Sequence, residues 1–218
     1  MSSNTYGYIA DTGPTQAYGS NNGVFNPADI NDLIAENKWS GVGTLELIQT
    51  QTSSGAVAQV DFTSIKEDIY NIHLVTFNNF QPVNDTPSFL IRFFESGVIE
   101  SGSVYQNAYQ KGATDGTFGE DKSTGQNGIA FGGAQTTDTG GAINGYFYIY
   151  NAGDSTKYTF LTAQSMDLDK YSGGYFYYGS SVLPQVSVVD GFRFLYSSGN
   201  IADFDVSLYG IKEYWYEY

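Results

Sequence analysis

Asp190 to Lys212 reads DGFRFLYSSGNIADFDVSLYGIK. Phe192, Phe194 and Tyr196 alternate with Arg193 and Leu195, the period of a strand whose two faces differ. Ser197 to Asn200 supplies turn chemistry, with Gly199 free to take positive φ. Phe204, Val206 and Leu208 then share one face of a second strand, opposite Asp203, Asp205 and Ser207. The segment predicts two strands joined as an antiparallel hairpin, and with it an all-β architecture.

The rest of the composition agrees. The chain has 218 residues and an apolar fraction of 41%, with 19 Tyr, 15 Phe and 26 Gly. A domain of this length buries roughly 70% of its unfolded surface in one core, and aromatic and Gly excess favours strands and tight turns over helices. The net charge of −14 repels phosphates and anionic headgroups, so no nucleic acid and no membrane partner is expected. Solubility at high local copy number is the ordinary reading of such a surface. With no cysteine, disulfides, thiolate metal sites and Cys nucleophiles are excluded. Residues 1–5, MSSNT, carry neither a basic nor an apolar signal region, and no secretory signal is expected.

Two parts are expected, residues 1–43 and 44–218. Met1 to Val24 is a polar arm punctuated by Gly7, Gly13-Pro14, Gly19 and Asn22-Gly23, anchored by Tyr6, Tyr8, Ile9 and Tyr18. It is a docking segment for its own domain or a neighbouring subunit. One short helix follows, with Asn26 as N-cap, Pro27 at its first position and Asp29 in its first turn. Ile30, Leu33 and Ile34 form its apolar stripe; it stops near Asn37, and Trp39 serves as its aromatic lid. From Thr44 the sequence reads as about ten strands. Ser88–Glu95, SFLIRFFE, is apolar on both faces and so central. Gln110 to Gly145 shows little periodicity and reads as a long functional loop with one short strand at Ile129–Phe131. Regular strand spacing predicts a jelly-roll-like two-sheet β-sandwich preceded by the extended arm and the helix.

No residue set carries catalysis. His73, the only histidine, lies in an apolar strand and lacks any nucleophile signature. The carboxylate pairs Glu95/Glu100, Glu120/Asp121 and Asp203/Asp205 could in principle serve a glycosidase, but solvated strand faces explain them. Asp167-Leu168-Asp169 has the i, i+2 oxygens of a calcium loop without its Gly and distal Glu. Gly132-Gly133 and Gly140-Gly141 are not followed by Lys-Ser/Thr and a helix, so they are no phosphate loop. No metal or cofactor is expected.

Aromatic clusters remain. Tyr146–Tyr150, YFYIY, and Tyr175–Tyr178, YFYY, put rings on both faces of a strand. One face is core; the other is a subunit contact or a platform for sugar rings. The tail residues Tyr214 and Trp215 form a further apolar patch that wants cover. The assembly residues expected are Tyr6, Tyr8, Tyr18, Phe25, Trp39, Tyr175, Tyr177, Tyr214 and Trp215.

Four stretches together resemble virion proteins of tailed bacteriophages of the marine and cyanophage kind: Gly23–Trp39, GVFNPADINDLIAENKW; Glu46 to Phe62; Ser88–Glu95; and Asp190–Lys212. The resemblance implies a jelly-roll domain, a homo-oligomer with a trimer favoured, and a non-enzymatic structural role. That role is a capsid decoration (cement) protein or a tail fibre or spike component, acting on other virion proteins after assembly in the host cytoplasm. The alternative is a carbohydrate-binding, lectin-like module for attachment to a host glycan. A glycan hydrolase or lyase is the third reading.

Overall fold

A computed structural model describes residues 30–31, 45–53, 55–138, 140–171 and 173–212. Met1–Thr44 and Leu45–Tyr218 form two separate units. In the first, the described residues Ile30 and Asn31 have helical backbone. The remainder of the expected helix lies outside the described residues, as do Tyr6, Tyr8, Tyr18, Phe25 and Trp39; in the second unit the same holds for Tyr214 and Trp215.

The second unit is a two-sheet antiparallel β-sandwich. Its strands are β1 (Leu45–Thr52), β2 (Gln59–Thr63), β3 (Ile72–Pro82), β4 (Phe89–Glu95), β5 (Val98–Ile99), β6 (Tyr105–Ala113), β7 (Phe118–Gln126), β8 (Ile129–Ala130), β9 (Ile143–Tyr150), β10 (Thr159–Asp169), β11 (Gly173–Leu183), β12 (Val189–Tyr196) and β13 (Ile201–Ile211). The large sheet has eight strands in the order β1-β13-β3-β9-β10-β11-β6-β7. The small one runs β2-β12-β4-β5, with β8 added beside β4. Strand β4 is central, as its two apolar faces require.

The Asp190–Lys212 pair is strand–turn–strand, but not a hairpin. Strand β12 pairs with β2 and β4, whereas β13 pairs with β1 and β3. The Ser197–Asn200 turn, with Gly199 at φ 75°, therefore carries the chain across the core from one sheet to the other. The reason is burial. In a hairpin the two apolar stripes would lie side by side on one sheet face. In an arch they point at each other, and Phe192, Phe194, Phe204, Val206 and Leu208 all become buried.

The core they build is aromatic. Phe194 is the hub, its ring lying 5.3–6.3 Å from those of Phe62, Phe77, Phe80, Phe89, Phe147 and Phe192. Centroid separations in this range, with edge-on and tilted rings, are the favourable geometry for π systems. Tyr196 adds a polar tie between the sheets by donating from its hydroxyl to the Phe80 carbonyl (3.1 Å).

The stretch from Gln110 to Gly145 is more ordered than its composition suggests. Strand β7 pairs with β6 from Phe118 to Gln126. It is an edge strand with neither face buried, so it needs no apolar alternation and its sequence shows none. The following loop is pinned from β10. Asp167 Oδ2 accepts from the Gly133 N–H (2.8 Å) and Gln135 Nε2, and Asp169 Oδ2 accepts from the Ala134 N–H (2.9 Å).

Candidate functional site: the outer face of the large sheet

Alternation along β9, β10 and β11 decides which side chains face outward. On β9, Phe147 and Ile149 are buried while Tyr146, Tyr148 and Tyr150 reach solvent. On β10, Leu161, Ala163, Ser165 and Asp167 are buried, which leaves Phe160, Thr162, Gln164, Met166 and Leu168 outside. On β11, Tyr177 is buried in the core and Phe176 and Tyr178 are exposed. This corrects the assignment of Tyr177 to an interface: its parity on the strand points it inward. Tyr175 is half-buried against the core.

The outward side chains fall into two zones. At one end of the strands lie Phe118, Met166, Leu168 and Phe176, with exposures of 74%, 62%, 38% and 36%. Gly112 makes room for this cluster, because a Cβ there would stand 2.3 Å from the Phe176 ring. Phe118 meets Phe176 edge-on at 6.2 Å. Tyr171, in the β10–β11 turn at the same end, is 78% exposed. Toward the other end are the three tyrosines of β9, Phe160 and Tyr178. Tyr146 donates to Gln164 Oε1 (2.9 Å), and the Tyr150 and Thr162 hydroxyls lie 3.1 Å apart. Open clefts of ≈ 580 and ≈ 310 Å³ lie in this second zone.

The residues weighed for chemistry are placed elsewhere. His73 is fully buried; its Nε2 is 2.9 Å from the Ile65 carbonyl, and its ring meets Tyr70 edge-on at 6.1 Å. Burial pushes its pKa down to about 4, so at neutral pH the ring is uncharged and Nε2 carries the donated proton. Glu95 and Glu100 do come together. Glu100 accepts from the Gly102 N–H (2.6 Å) and Gln185 Nε2 (3.0 Å), and these bonds hold its carboxyl below the usual range. Neither glutamate lines the Thr63, Glu67 and Asp190 cleft near their strand. Glu120 pairs with Lys122. Asp203 accepts from Ser53, and Asp205 from Asn79.

Asp167 is the one buried carboxyl among these. Burial raises its pKa, against the hydrogen bonds from Gly133 and Gln135, and its other oxygen has no hydrogen-bond partner. Among the described residues, no three His, Asp or Glu side chains gather as a metal site requires. No helix among them is long and apolar enough to cross a membrane.

Sequence reading missed Phe118, Met166 and Leu168, and within YFYY it took Tyr175 and Tyr177 as contact residues where Phe176 and Tyr178 face outward. The signal available for the residues of β10 and β11 was their even-numbered parity, which is readable on β10 only over its full length, Thr159–Asp169. Comparison with protein-family models, with curated proteins and with solved structures finds no match to this chain.

Proposed function

We propose that this protein is a non-enzymatic structural component of a tailed-bacteriophage virion, a capsid decoration or tail fibre or spike protein. It acts through protein–protein contacts made by the apolar end of the large sheet's outer face. One observation carries the contact: Phe118, Met166, Leu168 and Phe176 stand exposed together on one end of a sheet whose other face is already core. Contiguous apolar patches of this kind mark interaction sites. Covering several hundred Å² of it gains several kcal/mol at about 25 cal/mol per Å². The virion context rests on the sequence resemblance alone.

A closed homo-oligomer, with a trimer favoured, covers such a patch without open-ended growth. The charge of −14 per chain opposes association at long range, so added salt tightens the assembly. Sedimentation at micromolar concentration in low and high salt is the test. Expected are an oligomer that salt does not dissociate and a shift toward monomer in the double variant Phe176→Ser, Met166→Ser. A wild-type monomer in both salts refutes the oligomer. Imaging of purified particles with a label on this chain tests the virion assignment; unlabelled particles refute it.

A further inference from the structure

The register of the large sheet builds a groove that runs across its strands. Tyr148 on β9, Thr162 on β10, Ser180 on β11, Ala108 on β6 and Lys122 on β7 are successive cross-strand partners in one row. Its middle is short: Thr162, Ser180 and Ala108 are a hydroxyl, a hydroxyl and a methyl, all exposed. The rows on either side are long. One is Tyr146, Gln164, Tyr178, Gln110; the other is Tyr150, Phe160, Val182, Gln106. Short side chains between two tall rows make a channel, closed by the Tyr148 ring at one end and Lys122 at the other. The two clefts of this zone, and a smaller one of ≈ 180 Å³ beside Tyr178 and Lys122, are segments of it. Five strands at about 4.8 Å spacing give a channel about 19 Å long, the length of an oligosaccharide rather than of one sugar.

We infer that this groove binds a neutral oligosaccharide chain. One wall alternates rings with amides, Tyr146, Gln164, Tyr178, Gln110, and the other sets Tyr150 and Phe160 beside Val182 and Gln106; the four rings offer surfaces for the C–H faces of pyranose rings, and the three glutamines offer donors and acceptors for hydroxyls. The floor hydroxyls of Thr162 and Ser180 add both. The rings are held before any ligand arrives, Tyr146 by Gln164 and Tyr150 by Thr162, so little freedom is lost on binding. Charge selects the class. Lys122 is neutralised by Glu120, the groove has no other cation, and the protein carries −14, so an acidic glycan is repelled. A polar floor also suits a hydroxylated chain better than an apolar peptide segment, which the cluster at Phe118 and Phe176 would take instead. The groove does not depend on the assembly reading, because it occupies the other zone of the face.

The test uses the full chain on an array of neutral oligosaccharides of increasing length, with alginate and polygalacturonate fragments as acidic probes, followed by calorimetry on hits. Expected is binding to a neutral series that strengthens with length. Tyr178→Ala lowers the affinity at least tenfold, and Ser180→Trp, which fills the floor at an exposed position, abolishes it. Phe176→Ser leaves it unchanged. Circular dichroism verifies that each variant is folded. Binding that survives Ser180→Trp overturns the inference, as does preference for the acidic probes, or no neutral ligand at millimolar concentration. Light scattering on the same samples reads the oligomer separately, so loss of one property with retention of the other shows which of the two readings fails.

Discussion

His73 sets how the fold responds to acid. Its ring is fully buried, Nε2 donates to the Ile65 carbonyl, and Nδ1 is buried without a partner. Protonation would place a charge there with nothing to receive the second N–H, and burial accordingly lowers the pKa from 6.5 to about 4. In the unfolded chain the imidazole takes its proton near its ordinary value. Between the two pKa values the unfolded state binds more protons, so stability falls as pH falls. The contribution is complete above the unfolded value, is lost progressively below it, and changes no further below the folded value. From about pH 7.5 to about pH 4.5 the loss is about 2.5 kcal/mol at 1.36 kcal/mol per unit. Other groups act around this window. Glu46, lowered from 4.5 to about 2 mainly by its hydrogen bond from Lys212, begins to weaken the fold at the acid end of this window, where its unfolded form protonates, and most of its loss falls at more acid pH. Asp167, raised by burial, acts in the opposite sense, since protonating it in the fold relieves a buried charge. Urea titrations of wild type and His73→Gln at matched pH remove both from the comparison. The variant starts less stable, and its deficit shrinks by about 2.5 kcal/mol across the window. Parallel stability curves for the two proteins would show that His73 titrates alike in both states, and the burial argument would be wrong.

Phe194→Ala should cost about 3–5 kcal/mol in urea midpoint experiments, because six rings lose their common neighbour and the sheets cannot close the gap. A cost below about 1 kcal/mol would mean that the core is repacked around another hub. Arg193 donates to Asp61 through Nε (2.6 Å) and Nη2 (2.7 Å) and lies 5.2 Å over the Phe94 ring. The pair is only partly exposed, so Arg193→Lys, which keeps the charge and loses the fork and the stacking, should cost about 1–2 kcal/mol. An unchanged urea midpoint would place the pair among the neutral surface ion pairs.

Local periodicity made most inward faces legible and left the pairing of strands unread. Phe192, Phe194 and Tyr196 announce a strand face, yet nothing in that alternation states whether β13 lies beside β12 or across from it. Only the need to bury Phe204, Val206 and Leu208 against those rings decides for the arch. Strand β10 misleads for a different reason. Its inner positions include Ser165 and Asp167, which are buried, and its outer ones include Phe160, Met166 and Leu168. The apolar period is therefore blurred toward the outer face, and the inner carboxyl of Asp167 serves the pinned Gly133–Gln135 loop rather than the aromatic centre. Strand β7, polar on both faces, carries no period at all. The outer-face site was legible as ring-bearing strands, but its rows depend on registers between strands far apart in sequence, such as Ser180 with Ala108 and Ala108 with Lys122.

The division of that face follows from one atom, the tyrosine hydroxyl. The nine phenylalanines Phe62, Phe77, Phe80, Phe89, Phe93, Phe131, Phe147, Phe192 and Phe194 are essentially without exposure. Buried tyrosines tie their hydroxyls to the backbone, Tyr105 at the Glu100 carbonyl and Tyr196 at that of Phe80. On the outer face the two ring types separate in part, with Phe160 among the tyrosines and Tyr171 in the turn at the apolar end. The cluster at Phe118 and Phe176 has no hydroxyl, so a dry partner can cover it without stranding a polar group. Tyr146, Tyr148, Tyr150 and Tyr178 lie where a dry partner would have to desolvate four hydroxyls, each costing about 1–3 kcal/mol if left unpaired. A hydroxylated ligand that leaves water at its edges incurs no such cost. The same sheet face can therefore hold a protein at one end and a glycan at the other, and substitutions in either zone should leave the other's binding intact.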